Sequence, residues 1–255
     1  MNILVIPDSH VKADVDLSHL DWLGQFIVDQ KPEVIVHIGD FADMESLSSY
    51  DKGRKSAEGR RYVKDKEAAW EGMRRLLAPL EAHNENQRQN RKKRYQPQMH
   101  MLLGNHEHRI TRAIEDGALF EGTISIEDLG YESSGWAVHD FLKVIEIEGI
   151  AFSHYFTSGV MGRPVASARA LLQKKHQSAV MGHVQHRDIA FDYRPNGDTI
   201  TGLFVGTYYQ HEEKYLGNQG NNHYRGIWML KNVVKGQFEA VPYNLEEIRE
   251  IYSQV

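Results

Sequence analysis

The run EVIVHIGD, residues 33–40, decides the fold. Val34, Ile35, Val36 and Ile38 read as a buried strand that runs out into Gly39-Asp40, a turn followed by a carboxylate. Upstream, Ile3–Ile6 within MNILVIPDSH reads as another buried strand, ending in Asp8-Ser9-His10. Between the two, Leu20, Leu23 and Ile27 recur at helical spacing until Lys31-Pro32 stops the helix. A β-α-β opening implies a right-handed crossover and a parallel sheet, with the loops at the strand C-termini free for chemistry.

Residues 44–97 interrupt this rhythm and read as a helical and loop insertion near the site, within one domain spanning 1–255. Met73, Leu76, Leu77 and Leu80 share one face of a helix that Pro79 is expected to kink or end. HNENQRQNRKKRYQP, residues 83–97, is polar and charged with almost no apolar anchor, and reads as a mobile loop. The main pattern resumes in QMHMLLGNHEHR as a strand leading into a helix. LKVIEIEGIAFSHYF reads as a hairpin turned at Glu148-Gly149, followed by a helix over roughly 165–175 and the strand SAVMGH. The remainder reads as antiparallel strands with Asn196-Gly197 as a hairpin turn. Trp22, Trp70, Trp136 and Trp228 are scattered and expected in the core.

With 41% hydrophobic and 25% charged residues, the chain is neither disordered nor membrane-resident in composition. No apolar run approaches a spanning helix. The absence of cysteine excludes disulfides and thiolate metal sites, and leaves 14 histidines and the carboxylates as metal ligands. A net charge of −5 gives no global attraction to nucleic acid. The N-terminus lacks the basic start and long apolar stretch of a secretion signal, so a cytoplasmic location is expected.

Five strand ends carry candidate ligands: Asp8 and His10, Asp40, Asn105 with His106 and Glu107, His154, and His183. One such residue is ordinarily a helix cap or a satisfied loop residue. Five in this order place carboxylate, imidazole and amide groups on one sheet edge, the mixed nitrogen and oxygen set that suits two divalent cations. The order resembles the calcineurin-like metallophosphoesterases, whose blocks are D-x-H, G-D, G-N-H-[DE], H and G-H-x-H, over residues 5–186. In GDFADMESLSSYDKG and EGRRY the chain is also similar to stand-alone members of phage genomes.

The resemblance implies an α/β fold of four layers, an α/β/β/α sandwich of two mixed sheets flanked by helices. It implies that Asp8 and His10 hold a first metal, that Asp40 bridges, and that Asn105, His154 and His183 complete a second. It implies that His106 contacts the scissile phosphate and protonates the leaving oxygen, oriented by Asp43. Two cations about 3.5–4 Å apart would generate a bridging hydroxide and neutralise the attacking and leaving oxygens. Manganese is the favoured ion; iron, zinc, magnesium and nickel are alternatives.

The last ligand is open. The family block puts it two residues after His183, where this chain has Gln185, whereas His186 followed by Arg187 fits a register shifted by one. Alternate residues of an extended segment share a face, which favours Gln185; a bulge just past a strand favours His186. Arg109 is a candidate bidentate donor to substrate phosphate, against a plain surface helix charge. The basic run at residues 88–94, with Arg91, Lys92, Lys93 and Arg94, is a candidate nucleic-acid contact, against a solvated loop. The stretch GTYYQHEEKYLGNQGNNHYRG, with Tyr208, Tyr209 and His211, reads either as a substrate-cleft lining or as a variable surface excursion. The expected activity is metal-dependent hydrolysis of a phosphoester, a phosphodiester before a monoester. The alternatives are a DNA or RNA nuclease using residues 88–94, and a binding protein whose first metal site has decayed at Gln185.

Overall fold

Apolar strands just long enough to cross a core build two sheets. In the computed structural model, which describes residues 1–50, 52–213 and 216–254, β1 (Ile3–Ile6), β2 (Val34–His37), β3 (Gln98–Leu102) and β4 (Ala137–His139) run parallel. β10 (Gly226–Val234) and β11 (Gln237–Asn244) join antiparallel on the far side of β1, giving the order β11-β10-β1-β2-β3-β4. The second sheet, ordered β5-β6-β7-β9-β8, contains β5 (Ile145–Ile147), β6 (Ile150–Phe152), β7 (Ala179–Met181), β8 (Arg187–Tyr193) and β9 (Thr199–Val205). It too is mixed, since β6, β7 and β9 are parallel while β5 and β8 are antiparallel edges.

Side chains alternate along each strand, so one strand feeds two cores. Ile3, Val5, Val34 and Val36 face the other sheet and meet Phe152, Val180, Leu203 and Val205. Leu4, Ile6 and Ile35 face outward onto the helical layer, where α1 (Ser18–Gln30), α2 (Tyr62–Gln89) and α6 (Leu245–Tyr252) contribute Leu20, Leu76 and Ile248. On the second sheet's outer face, Ala179, Met181 and Phe204 lie under Leu171 of α4 (Ala168–Lys175). These are the four layers of an α/β/β/α sandwich. Two further helices, α3 (His108–Asp116) and the short α5 (Gly217–Gly220), lie on the loops beside the first sheet's strand ends. No helix among the described residues is long and apolar enough to cross a membrane.

Several local expectations are met for the expected reasons. α1 ends where Lys31 turns left-handed (φ 48°) and donates its amide to the Ile27 carbonyl, just before Pro32. The hairpin at Glu148-Gly149 has positive φ at both central residues, 49° and 82°, the demand of its two-residue turn.

Pro79 neither ends nor replaces part of α2, which continues ten residues beyond it to Gln89. An internal proline costs about 3 kcal/mol. Met73, Leu76, Leu77 and Leu80 are all buried on that helix, each worth about 1.5–3 kcal/mol, so packing outweighs the defect. The proline ring also sits where α1 comes closest: a Cβ on Gly24 would lie 2.7 Å from Pro79 Cγ and 2.6 Å from the Leu76 carbonyl oxygen. Residues 83–89 are consequently helical rather than loop, and Glu85 pairs with Arg88 at 2.7 Å. Trp136 and Trp228 are core residues, whereas Trp70 is half exposed, with its indole N–H donated to the Asp128 carbonyl at 2.8 Å.

Candidate metal centre

Every candidate block lies just past the C-terminal end of a parallel strand, which is where the topology collects loops. Asp8 follows β1, Asp40 follows β2, Asn105 and His106 follow β3, His154 follows β6 and His183 follows β7. The chain turns sharply at these points. His10, Asp40, His183 and Gln185 all have left-handed backbones, with φ of 41°, 51°, 68° and 59°. Each such non-glycine residue costs about 1–2 kcal/mol, and strain of this kind gathers at functional sites.

Asp40 is the focus. Its Oδ2 lies 3.4 Å from His154 Nε2 and 3.8 Å from both His10 Nε2 and His106 Nε2. Ligand atoms of His10, Asp40 and His106 fall within 4.8 Å of one another, as do those of Asp40, His154 and His183, so the two groups share one carboxylate. Asp8 belongs to neither group; its oxygens receive the His183 amide at 3.0 and 3.3 Å. The glycines of the G-N-H and G-H blocks leave room for carboxylates: a Cβ on Gly104 would strike Asp40, and one on Gly182 would strike Asp8.

Glu107, the acidic member of the G-N-H-E block, does not face the cavity. It is fully buried and ties two loops together, accepting the amides of Asp40 (3.0 Å), Ala42 (2.9 Å) and Gly104 (2.8 Å) and the hydroxyl of Tyr131 (3.2 Å). The Asp40 carboxylate is therefore positioned through its own backbone.

These donors fit divalent cations. His154 donates Nδ1–H to the Ile38 carbonyl at 3.0 Å, which turns Nε2 toward Asn105 Oδ1 (3.0 Å) and Asp40 Oδ2 (3.4 Å). With the ring neutral the lone pairs of Nε2, Oδ1 and Oδ2 converge, an arrangement that calls for a positive charge at its centre, a proton or a cation. His10 Nε2 is likewise buried with no hydrogen-bond partner. The charges say the same. Burial alone would lower His154 and His10, yet Asp40 acting on His154, and Glu213, Asp43 and Asp40 acting on His10, push each up to about 9. Asp40 is held well below the carboxylate range: burial opposes ionisation, and His106, His154 and His10 overcome it. Burial raises Asp8 to about 6 and lowers His183 to about 4.

Asp43 and Arg109 converge on His106. His106 Nδ1 lies 2.7 Å from Asp43 Oδ1 and 2.9 Å from the Asp43 carbonyl, while Arg109 reaches that carbonyl at 2.8 Å and His106 Nε2 at 3.2 Å. Asp43 is lowered, burial being overcome by the hydrogen bond and charge of His106. Arg109 thus lines the cavity wall rather than an outer helix surface.

Gln185 lines the same cavity as Asp40, Asn105 and His183. His186 is exposed, and its Nδ1 lies 3.1 Å from the Val184 carbonyl. Neither an extended segment nor a bulge produces this. Val184 N–H bonds to the Gly182 carbonyl (2.8 Å) and His186 N–H to the Val184 carbonyl (2.7 Å), two successive three-residue turns centred on His183 and Gln185.

The loop after β9 starts inside the protein, where Tyr208 and Tyr209 are fully buried and the Tyr209 ring stands 5.2 Å from that of His10, and comes to the surface at Glu212, Gly217 and Asn222. It delivers Glu213, which no reading of spacing singled out. Its carboxylate meets His10 Nδ1 (3.3 Å), His211 Nε2 (2.9 Å) and Lys12 Nζ (2.8 Å). The basic run is elsewhere. Tyr95 donates to the Pro32 carbonyl and Gln98 to that of Glu33, which fixes the segment at the N-terminal ends of β2 and β3, across the sheet from the ligands.

Residues 1–187 match the model of the calcineurin-like phosphoesterases. Gene 54 protein of Mycobacterium phage D29 is 27% identical over 199 residues, which cover 73% of this chain and 70% of that protein. Among solved structures, Yfce, a phosphoesterase from E. coli, aligns with a TM-score of 0.40 and 13% identity over 96% of this chain and 100% of its own. A conserved uncharacterized protein of Streptococcus pneumoniae, described as a predicted phosphoesterase, aligns at 0.35 and 12% identity over 95% and 97%. The matched span takes in every one of the strand-end blocks, from Asp8 through His183, and this chain belongs to the calcineurin-like phosphoesterase family.

Proposed function

We propose that the chain hydrolyses phosphodiesters with two divalent cations held around Asp40, manganese being the favoured ion. The observation that carries this is the convergence of His10, His106 and His154 on one carboxylate oxygen. Bound there, two cations would offset the charge of the phosphoryl group and of the attacking and leaving oxygens. Asp8, His10, Asp40, Asn105, His154 and His183 hold them, with Gln185 as the neutral oxygen donor of the first position.

The chain's own groups do the rest. His106 turns Nε2 into the cavity while Asp43 takes its Nδ1–H, so that a proton carried on Nε2 would be given to the leaving oxygen. Arg109 stands 3.2 Å from that nitrogen, within reach of a non-bridging phosphoryl oxygen. A diester needs room for two ester arms. The cavity, about 650 Å³, is lined beyond the ligands by Ser48, Tyr50, Arg54, Val184 and Leu216 as well.

The test is metal analysis of wild type and Asp40→Ala, with turnover of bis-p-nitrophenyl phosphate and p-nitrophenyl phosphate in added Mn²⁺. Two cations per chain and faster diester turnover are expected in wild type, with both lost in Asp40→Ala. Two cations and wild-type turnover in the variant would sink the assignment. Gln185 favours a second reading, a binding protein that keeps the fold without turnover; it gains if wild type binds cations and phosphate esters but cleaves neither substrate.

A further inference from the structure

Resting on the two-cation reading, we propose that Glu213 is a positioning residue of the metal centre, holding the His10 ring so that Nε2 faces Asp40. A carboxylate can only accept, so the 3.3 Å contact with Glu213 Oε1 makes His10 Nδ1 the donor. In the neutral ring the lone pair is thereby left on Nε2, which is buried, has no hydrogen-bond partner, and lies 3.8 Å from Asp40 Oδ2. A carboxylate behind a ligating imidazole fixes its tautomer and raises its basicity.

Glu213 is itself held in place. It is only 2% exposed, and Asn221 clamps its backbone at both ends: Glu213 N–H donates to Asn221 Oδ1 at 2.7 Å, and Asn221 Nδ2 donates to the Glu213 carbonyl at 3.0 Å. Lys12 Nζ reaches both carboxylate oxygens, at 2.9 and 2.8 Å, and also lies 3.3 Å from Asp43 and from Glu45. His211 donates its Nε2–H at 2.9 Å, and its ring stacks on Tyr209, which walls the other side of His10. So much buried structure around one carboxylate has a use at the first metal position. Gln185 offers only a neutral amide there, which leaves the strength of that position to Asp8, Asp40 and His10, and so to the charge behind His10.

The experiment is a Mn²⁺ titration by calorimetry, with metal counting, of wild type, Glu213→Gln and Glu213→Ala. Glu213→Ala should weaken one of two cations by about 10–100-fold and leave the other unchanged. Glu213→Gln keeps an accepting oxygen without the charge and should fall between. The electron paramagnetic resonance of the Mn²⁺-loaded chain should change from a coupled pair toward an isolated ion. If Glu213→Ala does not fold, as judged by circular dichroism, Glu213→Gln serves instead, and one of its two cations should still bind more weakly than in wild type. Unaltered affinity for both cations or equal weakening of both overturns the inference alone. A wild-type chain that binds fewer than two cations overturns the two-cation reading and this inference with it.

Discussion

His106 and Asp43 meet twice, ring nitrogen to carboxylate at 2.7 Å and to main-chain carbonyl at 2.9 Å, so both oxygens come from a residue just beyond Asp40. The loop that carries Asp40 also aims the His106 ring. His106→Asn should keep both cations and lower turnover by about 10²–10⁴-fold, with the largest losses for poor leaving groups. Asp43→Asn, which preserves the carbonyl contact, should lose less. Equal losses across leaving groups of widely different pKa would remove His106 from the acid role.

That dyad shows which parts of the site a linear reading reaches. Asp40, Asp43 and His106 stand at strand ends that apolar runs mark clearly. Glu213 stands 203 residues from His10 and 201 from Lys12 and arrives in a loop of polar residues, where no periodicity or spacing encodes the contact. Pro79 and the polar segment after it misdirect the reading of α2, because the opposing terms are tertiary: the Gly24 contact and the leucines buried beneath it. The conformation at 183–186 was equally hidden. An alternating pattern presumes an extended backbone, and two left-handed residues in close succession remove it.

Asp8 gives a prediction about stability without metal. Burial raises its carboxyl to about 6 from an ordinary value of 3.8, so the folded chain holds this proton more tightly than the unfolded chain does. Stability contributed by the protonated form is therefore full below about pH 4 and is lost as pH rises through about 6, at a cost on the order of 3 kcal/mol. His10 and His154, both raised to about 9, lose their contributions at higher pH, while His183, His19 and His37, lowered to about 4, 3 and 3, act in the opposite direction between pH 4 and 6, so the Asp8 contribution is read as the difference between Asp8→Asn and wild type. In excess chelator at pH 7, Asp8→Asn should melt several degrees above wild type, and the gap should close toward pH 4. A variant that melts below wild type throughout contradicts this account.

The basic run lies across the first sheet from the ligands, separated by the length of β3, five residues or roughly 16 Å. A phosphate at the metals and a backbone phosphate at residues 91–94 are thus not neighbours. Replacing Arg91, Lys92, Lys93 and Arg94 together with glutamine should leave diester hydrolysis and its salt dependence unchanged. A flattened salt slope for DNA or RNA binding in that variant would establish a second, remote contact surface.

Gln185 and His186 can be separated directly. Gln185 shares the cavity with Asp40 and His183, and His186 points out of it toward the Val184 carbonyl. A neutral amide oxygen binds a divalent ion more weakly than an imidazole nitrogen and suits Mn²⁺ or Mg²⁺ better than zinc. Activity should accordingly require added metal and fall on dialysis against a chelator. Gln185→His, introduced at a position already left-handed and already lining the cavity, should tighten the weaker cation and shift preference toward zinc. His186→Ala should be silent in affinity and turnover, since its ring does not line the cavity and meets the main-chain carbonyl of Val184, which the turn holds in place by its own backbone bonds. If His186→Ala alone strips a cation, the turns at 183–186 rearrange on metal binding and His186 is the ligand.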